Sequence, residues 1–208
     1  QSSDKVIELG DGLDIRFDLD GGWPREYKWN HNGKELSSAK THKIEFESVS
    51  EADAGEYRFL ATHNGESVFG KSVKVKVVTK GTPIVKVDGE SVINTKKIST
   101  DDTITISSST EGSSIFYSTD GSDPTFESNP YIKPFKLNTT TLLRAISYTS
   151  DFSKAFESDA VYLNVVPEFD LTLKTRGKGY IYQSNKREQL LQGDVVNLNA
   201  EADEGYRF

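Results

Sequence analysis

The sequence predicts an all-β chain built from several small units in tandem. Three observations carry that expectation. Short runs alternate apolar and polar residues at period two, among them Leu13–Phe17, Lys43–Phe46, Val73–Val77, Ile104–Ile106 and Leu171–Leu173; this is the pattern of strands with one buried face. Dipeptides suited to positive φ separate the runs: Asn32-Gly33, Asn64-Gly65, Asp88-Gly89 and Asp120-Gly121. Only Ser50–Asp53 has a helical look, and it is one turn long.

With 208 residues, the chain is long enough for two or three domains. Hydrophobic residues make up 35% and charged residues 27%, enough to fill several small cores. A net charge of -7 leaves no basic stripe to neutralise phosphates, which argues against nucleic acid as a partner. Cysteine is absent, excluding disulfides, thiolate metal sites and cysteine nucleophiles. A small extracellular chain without disulfides points to bacterial rather than animal secretion. No apolar run approaches the length of a membrane span, so no insertion is expected. Methionine is missing even at position 1, as in a piece of something longer.

Two boundaries are readable. Thr79-Lys-Gly-Thr-Pro83 follows the strand ending at Val78, and Val166-Pro-Glu168 follows a run ending at Val165. Both have linker composition, giving expected domains at 1–79, 80–166 and 167–208, arranged as an elongated, monomeric chain.

In the first segment, YKWNHNGKEL at 27–36 and SVSEADAGEYRFLA at 48–61 carry a tryptophan strand and a D-x-G-x-Y corner. The pair resembles an I-set-like immunoglobulin domain. That resemblance places Phe17 and Phe59 where the family has its bridging cysteines, with Trp29 between them and Tyr57 at the corner. Two phenylalanines can fill the space of a disulfide, and the tyrosine hydroxyl can bond the backbone. His31, His42 and His63 have no metal-ligand spacing. Trp23, in Asp20-Gly-Gly-Trp-Pro24, is either a sugar-stacking ring or one folded over the sandwich end. It is the single candidate glycan contact.

The second segment contains STDGSDPT at 118–125, whose crowded oxygens suggest a calcium loop, a carboxylate pair or a turn. A helix-loop-helix calcium site needs glycine at its sixth position and glutamate at its twelfth; here glycine comes early and proline interrupts. A catalytic pair needs one carboxylate of raised pKa across a cleft. Asp120-Gly121 followed by Asp123-Pro124 fits a hairpin turn best. The wider stretch, from Tyr117 through D-G-S-D-P-T and a Pro-Phe pair to Leu142–Ile146, resembles the C-terminal β-sandwich of chitobiases and β-hexosaminidases. In those enzymes the module is an appendage, which implies a non-catalytic role.

The third segment, 169–208, has Gly177, Gly179, Gly193-Asp194 and a closing D-E-G-Y-x-F. It resembles a divergent internalin-type B repeat that stops before the tryptophan which usually completes its core. No Ser/His/Asp order, phosphate loop or H-E-x-x-H is present. The expectation is a secreted or cell-surface bacterial chain without catalytic residues, cofactor or metal. It would be an accessory region of a polysaccharide-degrading enzyme, acting as spacer or weak glycan binder, or else the stalk or ligand-binding region of an adhesin. Its partner would be a polysaccharide or a cell-surface molecule.

Overall fold

The computed structural model describes residues 3–17, 26–63, 66–70, 72–183 and 190–207. Among them the only helical piece is the 3-10 turn Glu51–Asp53; everything else that is regular is strand. The chain is all-β.

The first unit is an immunoglobulin-like β-sandwich. One sheet runs in the order Lys5–Glu8, Val73–Val78, Gly55–His63, Glu26–His31, Lys34–Glu35, with Glu66–Phe69 also on Gly55–His63. The other is the antiparallel pair Leu13–Arg16 and Lys43–Phe46. Their inward positions share one core containing Leu13, Ile15, Trp29, Tyr57, Phe59 and Val73. Phe17, Trp29 and Phe59 form a triangle of rings with centroids 5.1 to 5.2 Å apart. The expected replacement of a disulfide by stacked phenylalanines is what the core contains. Tyr57 donates its hydroxyl to the carbonyl of Asp53 at 2.8 Å, closing the corner. Burial, with Asp53 nearby, pushes that phenol up to about 12, so the donor proton stays in place.

The second unit has a second core of Val85, Val87, Ile98, Ile104, Leu143, Ala145 and Leu163, among others. Its larger sheet runs Thr95–Ile98, Val161–Val165, Thr141–Tyr148, Ser114–Ser118, Asn129–Pro130, with Ala155–Glu157 also on Thr141–Tyr148. Glu90–Ser91, Ile84–Val87 and Ile104–Ser107 make the smaller sheet. In the last segment, Gly179–Gln183 pairs with Leu198–Ala202 and Glu168–Phe169 with Leu190–Leu191. No described residue beyond Leu163 is buried.

The two stretches of linker composition differ. Gly81, Thr82 and Pro83 are buried. The Gly81 amide donates to Glu8 Oε1 at 3.0 Å, and its carbonyl accepts from Ser147 Oγ at 2.6 Å and Ser108 Oγ at 2.8 Å. Ser109 Oγ also donates to Glu8 Oε1, at 2.8 Å. Gly81 sits at φ +95°, and a Cβ there would lie 2.6 Å from Thr110 Oγ1 and 3.0 Å from the Phe156 ring. Glycine is therefore required both by conformation and by space. Outside this knot, Val6 N donates to Ser91 Oγ at 2.9 Å, and Lys76 pairs with Asp159. What looks like a tether in the sequence is a packed joint. At Val166–Glu168 the holds are fewer: Val166 N to Ile98 O at 2.9 Å, Gln192 N to Pro167 O at 2.9 Å, and Lys97 Nζ to Gln192 O at 3.0 Å.

Candidate functional site

The larger sheet of the second unit has an inner and an outer face, fixed by strand alternation. Along Thr141–Tyr148, Leu143, Ala145 and Ser147 point inward and are fully buried. Arg144, Ile146 and Tyr148 therefore stand on the outer face. Register adds to them: Phe116 lies opposite Ile146, and Ser118 opposite Arg144. On the other side Glu157 lies opposite Ile146. Ile146 is only 4% exposed yet lies outside the core cluster. Its burial on the outer face means that neighbouring side chains cover it.

Those neighbours form a row. The Phe116 and Tyr148 rings meet edge to face at 6.0 Å, and Tyr148 meets Phe152 at 5.8 Å with a 34° tilt. Phe152 is 58% exposed, on the loop joining Thr141–Tyr148 to Ala155–Glu157. Beyond Ile146 the row turns polar. Arg144 pairs with Asp123 and, at 3.5 Å, with Glu157, while its Nε is buried without a hydrogen-bond partner.

The two aspartates of STDGSDPT thus have separate tasks. Asp123 faces Arg144. Asp120 Oδ1 accepts from Ser122 N at 3.0 Å and Ser122 Oγ at 2.6 Å, which holds its carboxyl below the usual range. Only Gly121 in this loop has positive φ, at +83°. The loop is an aspartate-capped turn within a longer connection from Ser114–Ser118 to Asn129–Pro130, not the two-residue hairpin that Asp-Gly suggests.

The Phe152 loop repeats that construction. Asp151 Oδ1 accepts from Ser153 N at 3.1 Å and Ser153 Oγ at 2.8 Å, and also from Thr149 Oγ1 at 2.6 Å. The Thr149 and Ser153 donors hold the Asp151 carboxyl down at about 2. Phe152 occupies the position of Gly121, at φ +57°. A non-glycine residue there costs roughly 1–2 kcal/mol, and strain of this kind concentrates where function requires it.

The remaining candidates are less telling. Trp23 lies outside the described residues. His31 stacks on Tyr57 at 4.4 Å and its Nε2 lies 3.0 Å from Ala54 O, a structural position. Among the described residues no group of three or more His, Cys, Asp or Glu is placed to hold a metal ion. In the last segment Tyr180 and Tyr182 stack at 5.9 Å on the outer face of their hairpin. Both hydroxyls donate to Glu201, which raises the two phenols and lowers the carboxyl. That is ordinary cross-strand pairing. Sequence reading missed Phe116, Arg144, Tyr148, Phe152 and Glu157. The D-x-S repeat at 120–122 and 151–153 was the signal available for Phe152.

The family described as chitobiase/beta-hexosaminidase C-terminal domain matches residues 94–157, which include the whole outer row. No curated protein matches the chain. Among solved structures, Sidekick-1 immunoglobulin domains 1–5 is 14% identical with a TM-score of 0.36, covering 98% of this chain and 44% of that one. Sidekick-1 immunoglobulin domains 1–4 gives 14% and 0.36, covering 96% and 55%. The chain spans about half the length of these structures or less, and neither likeness is close enough to carry an argument.

Proposed function

We propose that the chain is a non-catalytic accessory region of a larger secreted or surface-attached bacterial polysaccharide-degrading enzyme, acting as a spacer or a weak glycan-binding region. The observation that carries this reading is the match of residues 94–157 to a domain family named from the C-termini of glycan-cleaving enzymes. The three units, divided near residues 80 and 167, would then be consecutive modules of that region. No helix among the described residues is long and apolar enough to cross a membrane.

A stalk or ligand-binding region of a cell-surface adhesin is the second reading. It is favoured by the buried joint at Gly81, since holding successive sandwiches in register suits a stalk. The full reading frame separates the two. A glycan-degrading catalytic domain in the same polypeptide supports the first reading, whereas further tandem repeats without one overturn it. The purified chain is expected to show no turnover of chitin or alginate; turnover abolished by a single carboxylate substitution would overturn both.

A further inference from the structure

We propose that the outer face of the second sandwich is a stacking platform for an uncharged pyranose polymer. Phe152 and Tyr148 would lie under the sugar rings, Phe116 would buttress Tyr148 edge-on, and Arg144 with Asp123 and Glu157 would take the sugar hydroxyls. The proposal rests on the accessory reading above and assigns it a site.

The twin loops supply the first argument. Asp120-Gly121-Ser122 shows that glycine satisfies this turn, with positive φ and the same serine donors. The turn at Asp151-Phe152-Ser153 therefore has no need of a phenyl ring, and neither does the core, since Phe152 is more than half exposed and lies outside the core cluster. What remains is a requirement for an exposed aromatic on a stiff loop. The three acceptor contacts of Asp151 supply the stiffness.

The second argument is the mixture of chemistries in one row. A pyranose presents an apolar C–H face and a rim of hydroxyls. An aromatic ring suits the first, and planar guanidinium and carboxylate groups suit the second. Alternation spaces Arg144, Ile146 and Tyr148 roughly 6.5–7 Å apart on the same face, so rings and polar groups lie along one line.

Charge and size select the ligand. Two carboxylates surround a single guanidinium, so the polar end is net negative and disfavours a uronate or sulfated chain. One exposed and two half-buried rings fall well short of the roughly 800 Å² that a protein partner takes from each side. They match the face of a sugar.

The test uses the whole 208-residue chain, titrated with chitohexaose, cellohexaose and alginate, and the same chain carrying Phe152→Gly. Binding of at least one neutral oligosaccharide is expected, weakened about ten-fold by Phe152→Gly, with the melting temperature unchanged or raised. Undiminished binding by Phe152→Gly would overturn the platform and leave the accessory reading standing. So would no binding of either neutral oligosaccharide, or preference for alginate. A dimer lost in Phe152→Gly would assign the face to a second copy and overturn the proposal. The accessory reading fails separately, on the reading frame.

Discussion

The loops at Asp120 and Asp151 share one Asp-x-Ser turn and differ at its central residue, with Thr149 adding a third donor to Asp151. Each has an aspartate accepting from the amide and hydroxyl of the serine two positions on, and each has a residue at positive φ between them. In one that residue is Gly121, packed under Leu142; in the other it is Phe152, standing in solvent. The difference separates what a turn requires from what is added to it. Conformation asks only for tolerance of positive φ. The ring answers to something outside the turn.

Substitutions can break or sharpen this contrast. Gly121→Val should have the largest effect, because a Cβ at that position would lie 2.5 Å from Leu142 Cδ2 and the backbone is at φ +83°. A loss of about 1–3 kcal/mol is expected in denaturant unfolding, the scale of a β-branched residue held at positive φ, since the exposed Leu142 side chain can move aside. A loss near zero would show that the Asp120 loop is free to rearrange and is no template for its twin. Phe152→Gly should leave stability unchanged or raise it by up to about 1 kcal/mol, as relief of strain offsets the entropy of glycine. A clear loss instead would make the ring a packing element and end the contrast.

Smaller effects grade the aspartates. Asp151→Asn should lower the melting temperature more than Asp120→Asn, since Asp151 accepts from three donors and Asp120 from two. The reverse order would mean that the Thr149 contact contributes nothing. The acid limb carries the same information. Asp151 has a folded pKa of about 2, below its unfolded value. Its stabilising contribution is complete above the unfolded pKa and declines as pH falls through about 4 towards 2. Carboxyl titration followed by NMR should give a midpoint near 2 for Asp151; a midpoint near 4 would remove the preorganisation argued for Phe152. The smallest expected effect is none: calcium should not shift the melting temperature, because a ligand stabilises only by binding the native state. A rise of several degrees lost in Asp123→Ala would replace the Arg144–Asp123 pair with a metal site.

What could be read ahead of the structure followed local rules. Phe17, Trp29, Phe59 and Tyr57 were legible because the tryptophan strand and the D-x-G-x-Y corner fix their spacing. The tight turns at Asn32-Gly33 and Asp88-Gly89 have positive φ at both central residues, as the dipeptides indicate. The outer row was not legible, because Phe116 meets Ile146 through register between strands some thirty residues apart. Phe152 escaped notice for a different reason: a phenylalanine at positive φ violates the composition rules by which turns are recognised. Thr79–Pro83 has the composition of a linker because glycine and proline signal loops, yet its second part, Gly81 to Pro83, is buried. Its burial depends on Glu8, whose contribution comes from the opposite end of the first sandwich's sequence.

That joint bears on how the chain would carry a load. Lys5–Glu8 and Val73–Val78 run parallel and side by side, with Lys5 opposite Val75 and Glu8 opposite Val78. Tension on the polypeptide pulls the first strand from its Lys5 end and the second from its Val78 end. The force therefore shears the ladder along its length, stretching all its hydrogen bonds together, where an antiparallel hairpin pulled at its open end would yield one bond at a time. Glu8 closes that ladder and also accepts from the Gly81 amide, so the backbone that carries the pull into the second sandwich is pinned at the ladder's end rather than left as a slack cord.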